Sequence, residues 1–234
     1  MAYHGRRIYM KQQQVQEHFG RQADEYEELM VRLVPQYLFQ HQIIEDLLPD
    51  EDRAYRVLDL GCGNGVLSEL VFRRLPRAQV VGFDLTEKML AAYRKKLAGF
   101  TDRFTLQAGD FRVDPLGSDY DLILAGLTLH HLTWPEREAF YRRLYAALRS
   151  GGRFIARDII IDEEPEVTGD HYLLWKKFMQ SRGEDPEFWY ARHVEKDHPM
   201  TLTDHFSWLR EAGFTKTACH WRLYNFAVTS AEKP

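Results

Sequence analysis

The sequence predicts an α/β fold: an open, doubly wound, mostly parallel sheet with helices on both faces. Three observations predict it. Short apolar runs alternate with amphipathic segments from Tyr55 to Ile161. A glycine-rich turn joins the first run to the first helical pattern. The last two apolar runs follow each other with no helix between them, so they must be antiparallel neighbours.

The elements follow in order. From Tyr9 to Leu48, Val15, Phe19, Tyr26, Leu29, Val31, Leu33 and Val34 recur at helical spacing. Pro35 breaks this run, and Pro49 with Asp50 closes it. Residues 1–50 are therefore expected to form a helical cap of two or three helices. "YRVLDL", "AQVVGFDL", "FTLQAGD", "YDLILAGL" and "GGRFIARDIII" read as strands. "GVLSELVFRRL", "EKMLAAYRKKL" and "PEREAFYRRLYAALR" read as helices, the last with proline at its start. Residues 163–199 interrupt the rhythm with a charged, aromatic, partly helical insert. "TLTDHFSWLREAGF" is a helix with Thr201 or Thr203 at its start, and "TKTACHWRLYNFAVTSA" supplies the two closing strands. The core is expected over 51–162 and 200–234.

A length of 234 residues suffices for one sizeable core. The net charge of −4 gives no broad electrostatic footprint for nucleic acid. Cys62 and Cys219 are the only cysteines and lie outside any CxxC spacing. That argues against a disulfide framework and a thiolate zinc site. The polar N-terminus lacks the apolar core of a signal peptide, and no apolar run reaches membrane-spanning length. A cytoplasmic protein is expected.

The glycine turn reads Asp59-x-Gly61-x-Gly63-x-Gly65. In an open parallel sheet, ligands lie at the carboxyl ends of the strands, and glycines there admit φ > 0 and close backbone approach. The dinucleotide pattern G-x-G-x-x-G/A fails at Val66. An acid two residues before the glycines would repel a pyrophosphate but attract an ammonium group. Asp84 ends the second strand about 20 residues beyond Gly61, where an acid accepts ribose hydroxyls. Asp110 ends the third and can accept from an adenine amine, with Phe111 beside the ring. Amine, ribose and adenine together describe S-adenosylmethionine (SAM).

These residues resemble the class I SAM-dependent methyltransferases. "VLDLGCGNG", "VVGFDLTEKML", "QAGDF", "YDLILAGLTLHHL" and "LRSGGRFIARD" are similar to the family's successive motifs, and "LREAGF…NFAVTSA" to its terminal hairpin. The resemblance implies a Rossmann-like sheet of seven strands, six parallel and the last antiparallel. It also implies a cofactor site at Asp59, Gly61, Cys62, Gly63, Gly65, Asp84, Leu85, Met89, Asp110, Phe111 and Gly126. The product would be S-adenosylhomocysteine.

"MVRLVPQYLFQHQIIEDLL" resembles the entry helices of the carboxy-SAM-dependent tRNA wobble-uridine methyltransferases, through Arg32, Pro35 and Tyr37. That resemblance implies cofactor contact at Tyr37 and recognition of an extra carboxylate at Arg192. Gly126 stands where that family has a cofactor-binding asparagine.

A sulfonium methyl is already activated, so the protein must align the nucleophile, exclude water and remove a proton where necessary. Phe19, Tyr26 and Tyr37 fall in the part of the chain expected to cover the cofactor. His131, and second His130, follow the fourth strand as candidate bases. The insert offers Trp175, Phe178, Phe188, Trp189 and Tyr190 as an aromatic wall, with Arg192, His193 and His198 as polar points. Trp189, Tyr190, Arg192 and His198 are the expected substrate contacts. "HVEKDH" follows no fixed metal motif, and no metal ligand set is expected. Three functions stay open at this point: methyl transfer to a small molecule, carboxy-SAM chemistry on tRNA, and a SAM-binding scaffold without turnover. A homodimer through the helical cap is a further expectation.

Overall fold

The computed structural model describes residues 26–234. The helical pattern expected around Val15 and Phe19 lies outside the described residues. Helices α1 (Tyr26–Leu33) and α2 (Tyr37–Leu47) open the described chain. Then come β1 (Arg56–Leu60), α3 (Val66–Arg74), β2 (Gln79–Asp84), α4 (Glu87–Lys96) and β3 (Phe104–Ala108). They are followed by β4 (Tyr120–Gly126), α5 (Trp134–Ala147), β5 (Leu148–Ile159), α6 (Pro165–Ser181) and α7 (Pro186–Lys196). Helix α8 (Leu202–Glu211) and the hairpin β6 (Thr215–Leu223) and β7 (Phe226–Glu232) close the chain.

The sheet has seven strands in the order β3-β2-β1-β4-β5-β7-β6. Strands β1 to β5 pair in parallel. Strand β7 runs antiparallel to both β5 and β6. The order reverses between β1 and β4, and such a reversal is where open α/β sheets bind ligands.

Strand alternation explains the near-continuous apolar runs. Val57, Leu122, Leu124 and Ile155 face one layer, packed with Ile44, Leu70, Val71, Leu90 and Tyr93. Leu58, Leu60, Ile123, Ala125 and Phe154 face the other, packed with Phe140, Tyr141, Leu144 and Leu209. Local signals fix the helix starts. The Thr86 hydroxyl accepts from Met89 N at 3.3 Å, and Thr133 N donates to Glu136 at 2.8 Å in a capping box. Thr201, of the two threonines expected, caps α8.

The insert leaves and rejoins the core at one place, where Ile160 bridges Met200. Its helices dock on α1. Trp175 Nε1 donates to Leu33 O at 2.7 Å, and Arg32 Nε meets Glu184 Oε1 at 2.6 Å. Beneath these contacts, Leu29, Leu33, Trp175, Met179 and Phe226 form a third apolar cluster.

Candidate active site

The five parallel strand ends deliver their loops to one edge, and a cavity of about 620 Å³ runs along it. This is ordinary for a small-molecule site. Gly61 and Gly63 follow β1 with φ of 60° and 53°. A Cβ on Gly61 would lie 2.3 Å from Thr128 Oγ1 of the loop after β4, so the two loops at the switch point approach too closely for any side chain. A Cβ on Gly63 would meet nothing within 4 Å, because that position opens into the cavity. Leu127, beside Thr128, holds φ of 56°, an uncommon conformation for a branched residue, on the cavity wall.

Asp84 reaches the cavity from the end of β2. One carboxylate oxygen accepts from Gly63 N at 2.9 Å and the other from Thr86 N at 2.9 Å. Burial raises its pKa, against those hydrogen bonds. Leu85, Met89, Asp110, Phe111, Gly126 and Tyr26 also line the cavity. Asp110 accepts from the Arg112 guanidinium, and Phe111 packs on Phe140 with ring centroids 5.2 Å apart.

Four expected cofactor residues do not line the cavity. The Asp59 carboxylate turns to the start of α3, accepting from Ser68 N at 3.1 Å and Ser68 Oγ at 2.6 Å. Burial pushes its carboxyl up to about 7. It ties β1 to α3 and does not face the cavity. Cys62 is buried in the apolar layer, with Sγ against Gly82. Gly65 starts α3 with φ of 85°, and a Cβ there would lie 2.7 Å from Leu97 and Tyr93, so its bareness serves helix packing. Tyr37 is buried behind the wall. Its hydroxyl accepts from Arg157 Nη2 at 2.9 Å, and the guanidinium lies 4.2 Å over its ring.

On the insert side, Trp175, Trp189, Arg192 and His198 line the cavity. Tyr190 does not: it packs edge-on against Tyr172, with centroids 5.3 Å apart, in the cluster under α1. Phe178 joins that cluster and Phe188 is exposed, so neither belongs to the wall.

His130 and His131 both line the cavity, and the fold adds partners that the sequence analysis missed. Asp158, on β5, approaches His130 Nδ1 at 2.5 Å. Asp197, just after α7, lies 3.1 Å from His131 Nδ1 through one oxygen and 2.8 Å from His193 Nδ1 through the other. Burial opposes the His130 imidazolium, but Asp197 and then Asp158 outweigh it and raise its pKa. Burial and the neighbouring His130 charge lower that of His131. His130, His131 and Asp197 bring one potential ligand atom each within 4.8 Å of the others. The missed signal was local for His193 and Asp197, four residues apart on one helical face. It was absent for their distant partners.

The family profile described as Methyltransferase domain matches residues 57–152. The chain is 32% identical over 187 residues to the carboxy-S-adenosyl-L-methionine synthase of Chromohalobacter salexigens, covering 76% of this chain and 68% of that one. It is 25% identical over 227 residues to the synthase of the same name from Nautilia profundicola, covering 90% and 92%. Among solved structures, the apo form of the SAM-dependent methyltransferase SibL superposes with a TM-score of 0.64 at 25% identity. That match covers 84% of this chain and 55% of the other, so this chain spans about half the length of that methyltransferase. Fold, motifs and relatives agree: the chain belongs to the class I SAM-dependent methyltransferases. It is a SAM-using enzyme, and among the described residues no helix is long and apolar enough to cross a membrane.

Proposed function

We propose that this enzyme transfers the methyl group of SAM to a small-molecule acceptor held between the strand ends and the insert. The observation that carries this reading is the single cavity wall shared by Asp84, His131 and Trp189. Ribose anchor, proton acceptor and aromatic acceptor wall thus face one enclosed volume.

The residues fit SAM on one further observation. Gly63 leaves a bare cradle at the end of β1. Arg157 is buried, with Nε and Nη1 unpaired among the described residues. It stands directly behind Gly126, where a Cβ would lie 3.4 Å from Nε. Arg157 does not itself line the cavity, and it braces the wall from behind through the Tyr37 hydroxyl and ring. Asp84 would take the ribose hydroxyls, with Leu85 and Met89 against the adenine and Asp110 and Phe111 at its edge. When bound, SAM supplies an electrophilic methyl on a sulfonium. The chain's task is to exclude water with α1 and the insert, to orient the acceptor, and to handle its proton at His131, which Asp197 orients through Nδ1.

The test is turnover with methyl-labelled SAM, offered separately to a small-metabolite fraction and to an RNA fraction. Label appearing in a small molecule, with stoichiometric S-adenosylhomocysteine, is the expected result. Label appearing only in RNA overturns the acceptor class.

A second reading is that the chain makes or uses carboxy-SAM, favoured by the two synthase relatives. Arg192, which lines the cavity, would then meet the extra carboxylate.

A further inference from the structure

We infer that His130, His131 and Asp197 form a binding site for one divalent transition-metal cation, with a coordination position open to the cavity. Two imidazoles and a carboxylate are a borderline N/O set of the kind zinc accepts with three protein ligands and one exchangeable position. Ligand atoms around a tetrahedral zinc lie about 3.3 Å apart, as bond lengths near 2.1 Å require. Here His131 Nδ1 and His130 Nε2 lie 3.1 Å and 3.8 Å from the same Asp197 oxygen. A cation therefore needs adjustments of a few tenths of an ångström at these two contacts, and the three ligand atoms all lie within 4.8 Å of one another, so the two imidazoles must draw closer around it.

The surroundings are built as outer shells of metal sites are built. His130 turns its other nitrogen, Nδ1, to Asp158, which fixes the ring and leaves Nε2 toward Asp197. The second oxygen of Asp197 is held by His193, whose Nε2 in turn meets the Tyr172 hydroxyl at 2.9 Å. The two segments carrying the ligands are pinned together. Arg137, fully buried, donates through Nη2 to Leu129 O at 2.6 Å and to His198 O at 2.9 Å. His198 N donates to His130 O at 2.6 Å. All three ligand residues line the cavity, so the remaining position faces the acceptor.

The consequence for chemistry rests on the methyl-transfer reading, whereas the cation site stands without it. A bound cation would select an acceptor that offers oxygen, nitrogen or sulfur and would lower the proton affinity of that atom; with Nδ1 on the cation and the proton on Nε2, His131 would then act as a ligand in place of its role as base.

The test uses the untagged full chain, stripped with a chelator and titrated with Co²⁺, followed by visible absorption and by displacement with Zn²⁺. One equivalent with a four-coordinate spectrum is expected. Asp197→Asn and His131→Gln should each weaken it by more than the roughly 10–100-fold that loss of an outer-shell partner costs, and His220→Asn, on β6 and bonded to Ser230, should not. His131 is only partly buried, so His131→Gln decides the matter even if Asp197→Asn fails to fold. No Co²⁺ binding, or binding unchanged in His131→Gln, overturns the site. SAM titration of the stripped protein separates the two ideas. Binding of SAM without Co²⁺ removes the cation site and keeps the methyl-transfer reading; Co²⁺ without SAM does the reverse.

Discussion

His131 Nδ1 lies 3.1 Å from Asp197 Oδ1, joining the loop after β4 to the end of the insert across 66 residues of chain. On the proposed reading, this contact makes the insert part of the reacting centre as well as a cover over it. His131→Gln should lower kcat by about 10²–10⁴-fold, the usual range for a lost proton-transfer group. KM for SAM should stay within a few-fold. Because burial and the His130 charge lower the His131 pKa, the acid limb of the wild-type kcat profile should fall below pH 6.5. Activity is lost there because the base must be neutral. Steady-state kinetics against pH check both points.

Asp84→Ala should weaken SAM binding by about 100-fold, the loss of two hydrogen bonds to a charged group at about 1.5 kcal/mol each. Asp84→Asn keeps an acceptor for Gly63 or Thr86 and should fall between the wild type and alanine. Calorimetric titration, with melting temperatures run in parallel, separates binding from folding. Unchanged affinity in Asp84→Ala would remove the ribose assignment.

Gly63→Ala and Gly65→Ala should part company. Both positions have positive φ, but only Gly65 is hemmed in by Leu97 and Tyr93. Gly65→Ala should destabilise by more than about 1 kcal/mol and leave SAM affinity near wild type in the folded fraction. Gly63→Ala should lower affinity more than its melting temperature suggests, since its Cβ would project into the cavity. Thermal melts and titrations on both variants check the contrast.

Acid should destabilise the fold through buried neutral histidines. Burial holds His205 down at about 3, between the Tyr141 hydroxyl at 2.6 Å and the Thr229 hydroxyl at 3.1 Å. His41 is held down at about 3 for the same first reason. Between pH 6.5 and 3 the unfolded chain binds protons that these folded side chains refuse, so stability falls with pH. Asp59, pushed up to about 7, acts in the opposite sense, and two histidines outweigh it. His205→Gln should flatten the acid slope by an amount on the order of 1–4 kcal/mol. Denaturant melts at several pH values measure that difference.

The sheet and its helices were legible because their signals are local. Alternating apolar runs, a proline at the start of α5, Thr201 before α8 and the hairpin all sit within a few residues of what they specify. The direction of Asp59 was legible too, on a closer reading. It lies two residues from Val57, so strand alternation sends both side chains to the face that α3 covers. Adjacency to the glycines drew it wrongly toward the ligand. Tyr190 failed for a related reason: its aromatic character marks a buried face without saying which. Asp158 and Arg157 were not legible, because their roles depend on contacts between elements far apart in the chain.

On the proposed reading, this cavity holds SAM, and not its carboxylated relative, for methyl transfer. The most direct test is calorimetric titration of the purified chain with SAM and with carboxy-SAM side by side. The account predicts tighter binding of SAM, competed by S-adenosylhomocysteine and weakened in Asp84→Ala. Tighter binding of carboxy-SAM would contradict it and move the chemistry to the extra carboxylate and Arg192.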